Sequence, residues 1–329
     1  MKKQRKKVVT IGGGTGQFAL LLGLRDLADI EITAIVSMAD SGGSTGRLRD
    51  ELGILPPGDV LKCILALSPY QHVVRNVFLK RFAGDRRLRG HNAGNLLLTM
   101  LSNYTGSFPT GVRALAEILE VKGTILPVTI DKATLVAELT DGKRVYGQAA
   151  ITIPQTSQRE RIREIYLVPH HGECISAYPP VLDAIRNADY IIIGPGDLYT
   201  SIMPNLIVPG VKEALQETNA EVFYVVNIMT KFGETDRFGG YDFVQKIEGS
   251  IDRMVDGVIY NAQKPDGGLL TQYRAEKAEF VEICVQDPCW KGRTIYACDL
   301  LDTAGGIIRH KSEKLAQLIK DILCRRRSG

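Results

Sequence analysis

The stretch Val8-Val9-Thr10-Ile11-Gly12-Gly13-Gly14-Thr15-Gly16, continuing as Gln17-Phe18-Ala19-Leu20-Leu21-Leu22-Gly23-Leu24, decides how this chain folds. A short apolar and β-branched run that ends in glycines reads as a buried strand entering a tight turn. The apolar residues over 18–24 then have helical content. Residues 30–36, Ile-Glu-Ile-Thr-Ala-Ile-Val, read as a second strand. Strand, helix and strand in that order require a right-handed crossover and a mostly parallel sheet. The glycine turn gathers several backbone N–H groups at a helix N-terminus, where the helix dipole also favours an anion. From Gly14 the pattern G-x-G-x-x-A is filled by Gly14, Gly16 and Ala19. Gln17 stands where a Walker loop needs its lysine, so Gly12, Gly13, Gly14, Thr15 and Gly16 are expected to hold phosphate through backbone amides.

The same grammar recurs three times. The second strand leads to Asp40-Ser41-Gly42-Gly43-Ser44-Thr45-Gly46. Asp40 lies ~25 residues beyond the glycine turn, where an acidic residue can meet a ribose hydroxyl. Ser41, Gly43 and Ser44 could hold a further anionic group. An apolar strand at 190–193 runs into Gly194-Pro195-Gly196-Asp197-Leu198-Tyr199-Thr200, and one at 221–228 brings Asn227 and Lys231 to its end. Four such loops are most economically placed along one crevice at the carboxyl ends of a parallel sheet. Asn92 and Asn95, in His91-Asn92-Ala93-Gly94-Asn95, add amide donors and acceptors suited to a base or sugar edge.

Helices are expected at 59–67 with Asp59 as cap, at 110–120 with Thr110 as cap, and at 179–187, 209–217, 241–248 and 312–323. The middle differs. Residues 124–168 alternate or run apolar around Asp141-Gly142, a hairpin signal, with 145–153 and 162–168 read as strands. Nothing resembles a linker. The expectation is one α/β domain over 1–329, Rossmann-like, its mostly parallel sheet flanked by helices and carrying an antiparallel, β-rich insertion around residues 124–168.

Composition narrows the function. Hydrophobic residues make up 44% and charged residues 24%, ordinary for a globular protein. No apolar run approaches the ~20 residues that span a bilayer, so no membrane insertion is expected. The basic start, MKKQRKK, lacks the apolar core of a signal peptide, and the cytoplasm is the expected compartment. Six scattered cysteines, without a C-x-x-C pair, argue against disulfides and zinc. His170-His171 has no second ligand pair at a zinc spacing, so no metal is assigned there. The net charge of +4 includes eight basic residues in the two end segments, 1–7 and 325–329, and the rest carries −4. A nucleic-acid partner is therefore not expected.

These loops also carry a resemblance. Ile11 to Gly16, Ala39 to Arg49, Gly90 to Leu96, Gly194 to Leu206, and Asn227-Ile228-Met229-Thr230 through Gly233-Glu234-Thr235 together resemble the YvcK family of gluconeogenesis factors, over about 8–323. The resemblance implies the fold of the CofD superfamily of 2-phospho-lactate transferases, which join a phospholactyl group to a deazaflavin. For the YvcK branch it implies a UDP-sugar ligand, notably UDP-N-acetylglucosamine. It also implies a part in cell-wall precursor supply and cell shape on gluconeogenic carbon sources, through regulatory protein partners, with no reaction catalysed. It places Tyr273 and Arg309 at the uridine nucleotide; an aromatic face can stack on a base and a guanidinium can bridge a diphosphate. The family often shows two aspartates where this chain has Asp40-Ser41. One carboxylate and a hydroxyl make a poorer Mg²⁺ site, so no obligatory cofactor is expected and ligand binding is preferred over a CofD-like transfer. A homo-oligomer is compatible with all of this.

Overall fold

The computed structural model describes residues 5–84, 87–154, 159–170 and 174–325. The chain runs β1 (Lys6–Gly12), α1 (Gly14–Leu24), β2 (Ile30–Val36), α2 (Gly43–Leu52), α3 (Pro57–Leu67), α4 (Gln71–Phe78), α5 (Ala93–Tyr104), α6 (Phe108–Ile118) and β3 (Thr124–Pro127). Next come β4 (Ala133–Leu139), β5 (Arg144–Tyr146), α7 (Gln148–Thr152), β6 (Ile162–Pro169), α8 (Pro179–Arg186) and β7 (Tyr190–Ile193). A π-helical turn at Leu198–Ile202 leads to α9 (Met203–Leu206), α10 (Val211–Glu217), β8 (Glu221–Val225), α11 (Gly240–Ile251), β9 (Gly257–Asn261) and α12 (Gly267–Ala275). The last elements are β10 (Thr294–Cys298), β11 (Leu301–Asp302), β12 (Arg309–His310) and α13 (Ser312–Arg325).

Seven strands form the central sheet in the order β10-β9-β8-β7-β1-β2-β3, and every pairing is parallel. Right-handed crossovers explain the helix layers. The chain moves from β1 towards β3 first and from β7 towards β10 later, so the two sets of helices fall on opposite faces. α1 packs on α3 and α13, and α10 packs on α8 and α11. Strands covered on both faces need unbroken apolar runs. Tyr190-Ile191-Ile192-Ile193 and Gly257-Val258-Ile259-Tyr260-Asn261 supply them, and every residue of both is buried. Strand direction reverses its march between β1 and β7, and a ligand crevice belongs at the carboxyl ends of those two strands.

The expected parallel sheet is present, but the insertion is smaller than the sequence suggests. Residues 124–127 are the edge strand of the central sheet, in register with Thr33–Val36 of β2. The antiparallel sheet is β5-β4-β6. Residues 145–153 are not one strand: Gly147, at φ +87°, breaks the chain and helix-forming Gln148-Ala149-Ala150 start α7. Two caps move as well. Pro57 occupies the first turn of α3, leaving Asp59 inside the helix, paired with Lys62 at 2.9 Å. Ser107, not Thr110, caps α6 by accepting from the Thr110 N–H. The basic start is shorter than expected, because Lys6 and Lys7 belong to β1 and the Lys7 N–H donates to Asp189 at 2.8 Å. Residues 1–4 and 326–329, and His171, lie outside the described residues.

Candidate functional site

Loops after β1 and β7 are pressed together at the switch point. A Cβ on Gly16 would lie 2.2 Å from the Pro195 carbonyl oxygen, so only glycine lets the two backbones meet. Gly14 sits at φ +65°, which glycine tolerates. The Asn205 carboxamide, fully buried, donates to the Gly12 carbonyl at 3.1 Å and to Ser201 and Ile202 at 2.9 and 3.2 Å. It fixes the end of β1 to the turn after β7. Gln17 is also fully buried: its amide donates to Ile35 at 2.9 Å and to Thr10 at 3.3 Å. The side chain standing in the lysine position is thus a clamp between β1 and β2. That leaves the first N–H groups of α1 without an intrahelical acceptor, with Thr15 exposed beside them.

Two carboxylates stand beside this turn. A Cβ on Gly13 would lie 2.9 Å from an Asp59 oxygen, and one on Gly58 would lie 2.7 Å from an Asp40 oxygen. Burial first, then the Asp59 charge, raises the Asp40 carboxyl above its ordinary range. Burial would lower the Lys62 ammonium, but its contact with Asp59 and the charge of Asp40 outweigh that and raise it. Asp40 accepts from the Gly42 N–H at 3.0 Å and so shapes the entry to α2. β2 has already ended at Val36. Asp59 provides the second carboxylate that Asp40-Ser41 lacks, from a different helix.

The second loop is mostly helix. α2 starts at Gly43, whose φ of +47° glycine alone accepts easily. Ser41 accepts from the Ala149 N–H at 3.1 Å and ties the loop to the insertion. The Ser44 hydroxyl meets His91 Nδ1 at 2.9 Å and accepts from the Asn95 amide at 3.3 Å. Asn92 caps α5 by accepting from the Asn95 N–H at 2.7 Å. Ser44, Asn92 and Asn95 are thus brought together and buried, and the Asn95 Oδ1 keeps no partner.

Polar groups gather at the ends of β7 and β8. Gly196 packs on the first turn, with a Cβ there 3.6 Å from the Gly13 carbonyl oxygen. Leu198 and Tyr199 are buried; the Tyr199 hydroxyl lacks a partner, and burial pushes it up to about 12. Gly194, at φ +78°, turns the chain out of β7. Asn227 leaves its Oδ1 unpartnered. Lys231 bridges Asp197 and Glu234, the latter at 3.0 Å. Burial drives the fully enclosed Glu234 up to about 7, against the opposing pull of Lys231. Arg159, from the segment before β6, adds charge beside Glu234 and keeps Nε and Nη2 unpartnered. Glu234, Arg159, Asn205 and Asp59 were not among the site residues expected from the sequence; only the adjacency of Asp59 to Pro56-Pro57-Gly58 signalled a special turn.

Tyr273 and Arg309 come from distant elements and meet. The Tyr273 hydroxyl, on α12, accepts from the Ile308 N–H at 2.8 Å, next to Arg309. Arg309 is half exposed, 3.4 Å from Asp302, and donates to the Ala304 carbonyl at 3.0 Å. His310 is buried against the Val226 backbone at the end of β8, and burial pushes it down to about 4. The β11–β12 hairpin is thereby seated at the crevice end of the sheet. Two depressions open elsewhere: about 410 Å³ between α6 and β3, lined by Val112, Ile125 and Tyr178, and about 300 Å³ at the opposite strand ends, lined by Lys7, Glu31 and Asp183. Neither touches the loops. Among the described residues no group of three or more His, Cys, Asp or Glu is placed to hold a metal, and no helix is long and apolar enough to cross a membrane.

Comparison with known proteins agrees with this fold. The family model of the 2-phospho-L-lactate transferase CofD matches residues 8–301. A protein of Aquifex aeolicus is 42% identical over 97% of both chains. The gluconeogenesis factor of Bacillus subtilis is 38% identical, over 97% of this chain and 99% of its own. A crystal structure of a Bacillus halodurans protein superposes with a TM-score of 0.89 at 36% identity, covering 96% of this chain and all of that one.

Proposed function

This chain belongs to the CofD family, among its gluconeogenesis factors, and from that premise we propose that it binds a UDP-sugar in the β1–β7 crevice as a regulator of cell-wall precursor supply. The observation that carries the reading is the meeting of Tyr273 with the Arg309 segment at the crevice end of β8. An aromatic ring, a half-exposed guanidinium and an amide-lined turn match the three parts of a nucleoside diphosphate. The 13–16 amides take a phosphate, Arg309 bridges the diphosphate, and Tyr273 stacks on the base. Tyr199, Asn227 and Lys231 offer partners to the sugar. UDP-N-acetylglucosamine is the ligand of choice. Signalling to protein partners of precursor synthesis follows from occupancy of the crevice, in the cytoplasm. Titration calorimetry with UDP-N-acetylglucosamine tests this: saturable 1:1 heat that weakens in Arg309→Ala supports it, and absence of heat at millimolar ligand refutes it.

One observation favours a second reading, a CofD-like transfer of a phosphate-linked group. Asp40 and Asp59 flank the turn with one ammonium, Lys62, between them. Two hard oxygen donors fit Mg²⁺, which would supply the positive charge that a diphosphate needs beside two carboxylates. A ligand titration with and without Mg²⁺ separates the readings. Binding that needs Mg²⁺ and Asp59, together with turnover of an activated phospho-donor and a deazaflavin, favours transfer; metal-independent binding without turnover favours the regulator.

A further inference from the structure

The insertion touches the crevice from both sides. At one end of α7 the Ala149 N–H donates to the Ser41 hydroxyl, in the loop after β2, at 3.1 Å. Beyond α7, Pro154 and Arg159 press on the loop after β8: a Cβ on Gly233 would lie 2.5 Å from Pro154 Cγ and 3.0 Å from Arg159 Cδ. β2 and β8 flank the β1–β7 pair in the sheet, so these contacts bracket the crevice. Arg159 is the charged group of this span. Its Nη1 donates to the Ile151 and Ala150 carbonyls, at 2.6 and 3.4 Å, and closes the end of α7. Its Nε and Nη2 are buried without a partner, although the residue as a whole is only partly buried. These two N–H groups share one edge of the planar guanidinium and point the same way, a fork for two acceptor oxygens just beneath the surface. Folded proteins rarely leave buried donors unpaired, because each costs more than a made hydrogen bond contributes.

The neighbours of the fork decide what it takes. Glu234 and Asp236 both act on Arg159 by charge. Asp236 is engaged by the Gly233 N–H at 2.8 Å. Glu234 meets Lys231 at 3.0 Å and accepts from the Thr200 hydroxyl at 3.4 Å, and Lys231 also pairs with Asp197. The buried, unpartnered Tyr199 hydroxyl feels the charge of Glu234. Three acids thus stand against two bases, and a further anion is poorly served there. A sugar hydroxyl, which both donates and accepts, suits a ring of mixed donors and carboxylates. We propose that Arg159 reads the sugar of the ligand, its Nε and Nη2 donating to two adjacent oxygens of an uncharged hexose. This rests on the UDP-sugar reading of the crevice and adds the residue that tells a nucleotide sugar from a bare nucleotide. Tyr273 and Arg309 serve the nucleotide, so Arg159 contributes to sugar affinity alone.

Titration calorimetry on the full-length protein compares UDP with UDP-N-acetylglucosamine, and UDP-glucose with UDP-glucuronic acid, which differs by a carboxylate. The parent should bind UDP-N-acetylglucosamine about ten-fold or more tighter than UDP, and UDP-glucose tighter than UDP-glucuronic acid. Arg159→Lys keeps a donor for the Ile151 carbonyl but loses the fork. It should weaken UDP-N-acetylglucosamine by about ten-fold, the loss of a charge-assisted pair, and UDP by less than about two-fold. Arg159→Gln should give the same pattern. Thermal melting of both variants shows whether they fold as the parent does. An equal fall for UDP and UDP-N-acetylglucosamine overturns the proposal, since Arg159 then only holds the insertion in place. A parent ratio unchanged in Arg159→Lys overturns it, and so does tighter binding of UDP-glucuronic acid than of UDP-glucose, the mark of an anion site. A parent that binds none of the four ligands refutes the crevice reading itself, and this proposal with it.

Discussion

Replacing Gly16 by alanine is expected to separate the two loops that build the crevice. The new Cβ would stand 2.2 Å from the Pro195 oxygen, 2.6 Å from its carbonyl carbon and 3.0 Å from the Gly196 nitrogen. An ordinary C···O contact is about 3.3 Å, so the turns must part by about 1 Å. All three clashing atoms are backbone and cannot swing aside as a side chain would. Overpacking of this kind costs about 1–3 kcal/mol, and the upper half of that range applies. Gly16 has no left-handed φ, so the cost is one of space rather than of backbone conformation. Urea unfolding at pH 7 measures the loss, and calorimetry with UDP-N-acetylglucosamine measures the accompanying fall in affinity. Thr15→Ala, one residue away and exposed, is the control and should change stability by less than about 0.5 kcal/mol. If Gly16→Ala matches the parent within that margin and binds as well, the contact between the turns does not organise the site.

Three further outcomes follow from the same geometry. Burial raises Glu234 from 4.5 to about 7, so the folded protein keeps a proton that the unfolded chain releases. Stability should therefore fall as pH rises from about 5 to 7, by at most about 3 kcal/mol, and urea midpoints of Glu234→Gln over that window should lack this slope. Asn205→Ala removes donors to Gly12, Ser201 and Ile202 and should cost about 1–3 kcal/mol in unfolding free energy, with weakened ligand heat. Tyr273→Phe keeps the ring but deprives the Ile308 N–H of its acceptor; melting should move little while affinity for a UDP-sugar falls by about five-fold, near 1 kcal/mol.

Much of the fold was legible because its central strands obey local rules. Residues 30–36 and 190–193 are apolar runs bounded by turns, and they form β2 and β7 with those limits. The edge strand β3 was misplaced because Thr124-Ile125-Leu126-Pro127 is short, and its partner, β2, is remote in sequence. Helices α2, α4 and α5 went unread. α2 starts in a glycine- and serine-rich segment, and α4 buries only one of its faces. At the site, glycine turns announced themselves by spacing. The roles of Ser41 and Ser44 did not: each meets a group that only the folded chain brings near, whereas Asn92 caps α5 locally through the Asn95 N–H. Asp59 shows the converse, since its closeness to Asp40 and Gly13 arises from the docking of α3 and has no signature in sequence.

The central claim is that the β1–β7 crevice holds a UDP-sugar, and a crystal structure grown with UDP-N-acetylglucosamine tests it most directly. The expected map shows a diphosphate against the 13–16 amides and Arg309, with the uracil on Tyr273. A ligand seated instead in the depression between α6 and β3, or a crevice left empty at saturating ligand, would contradict it.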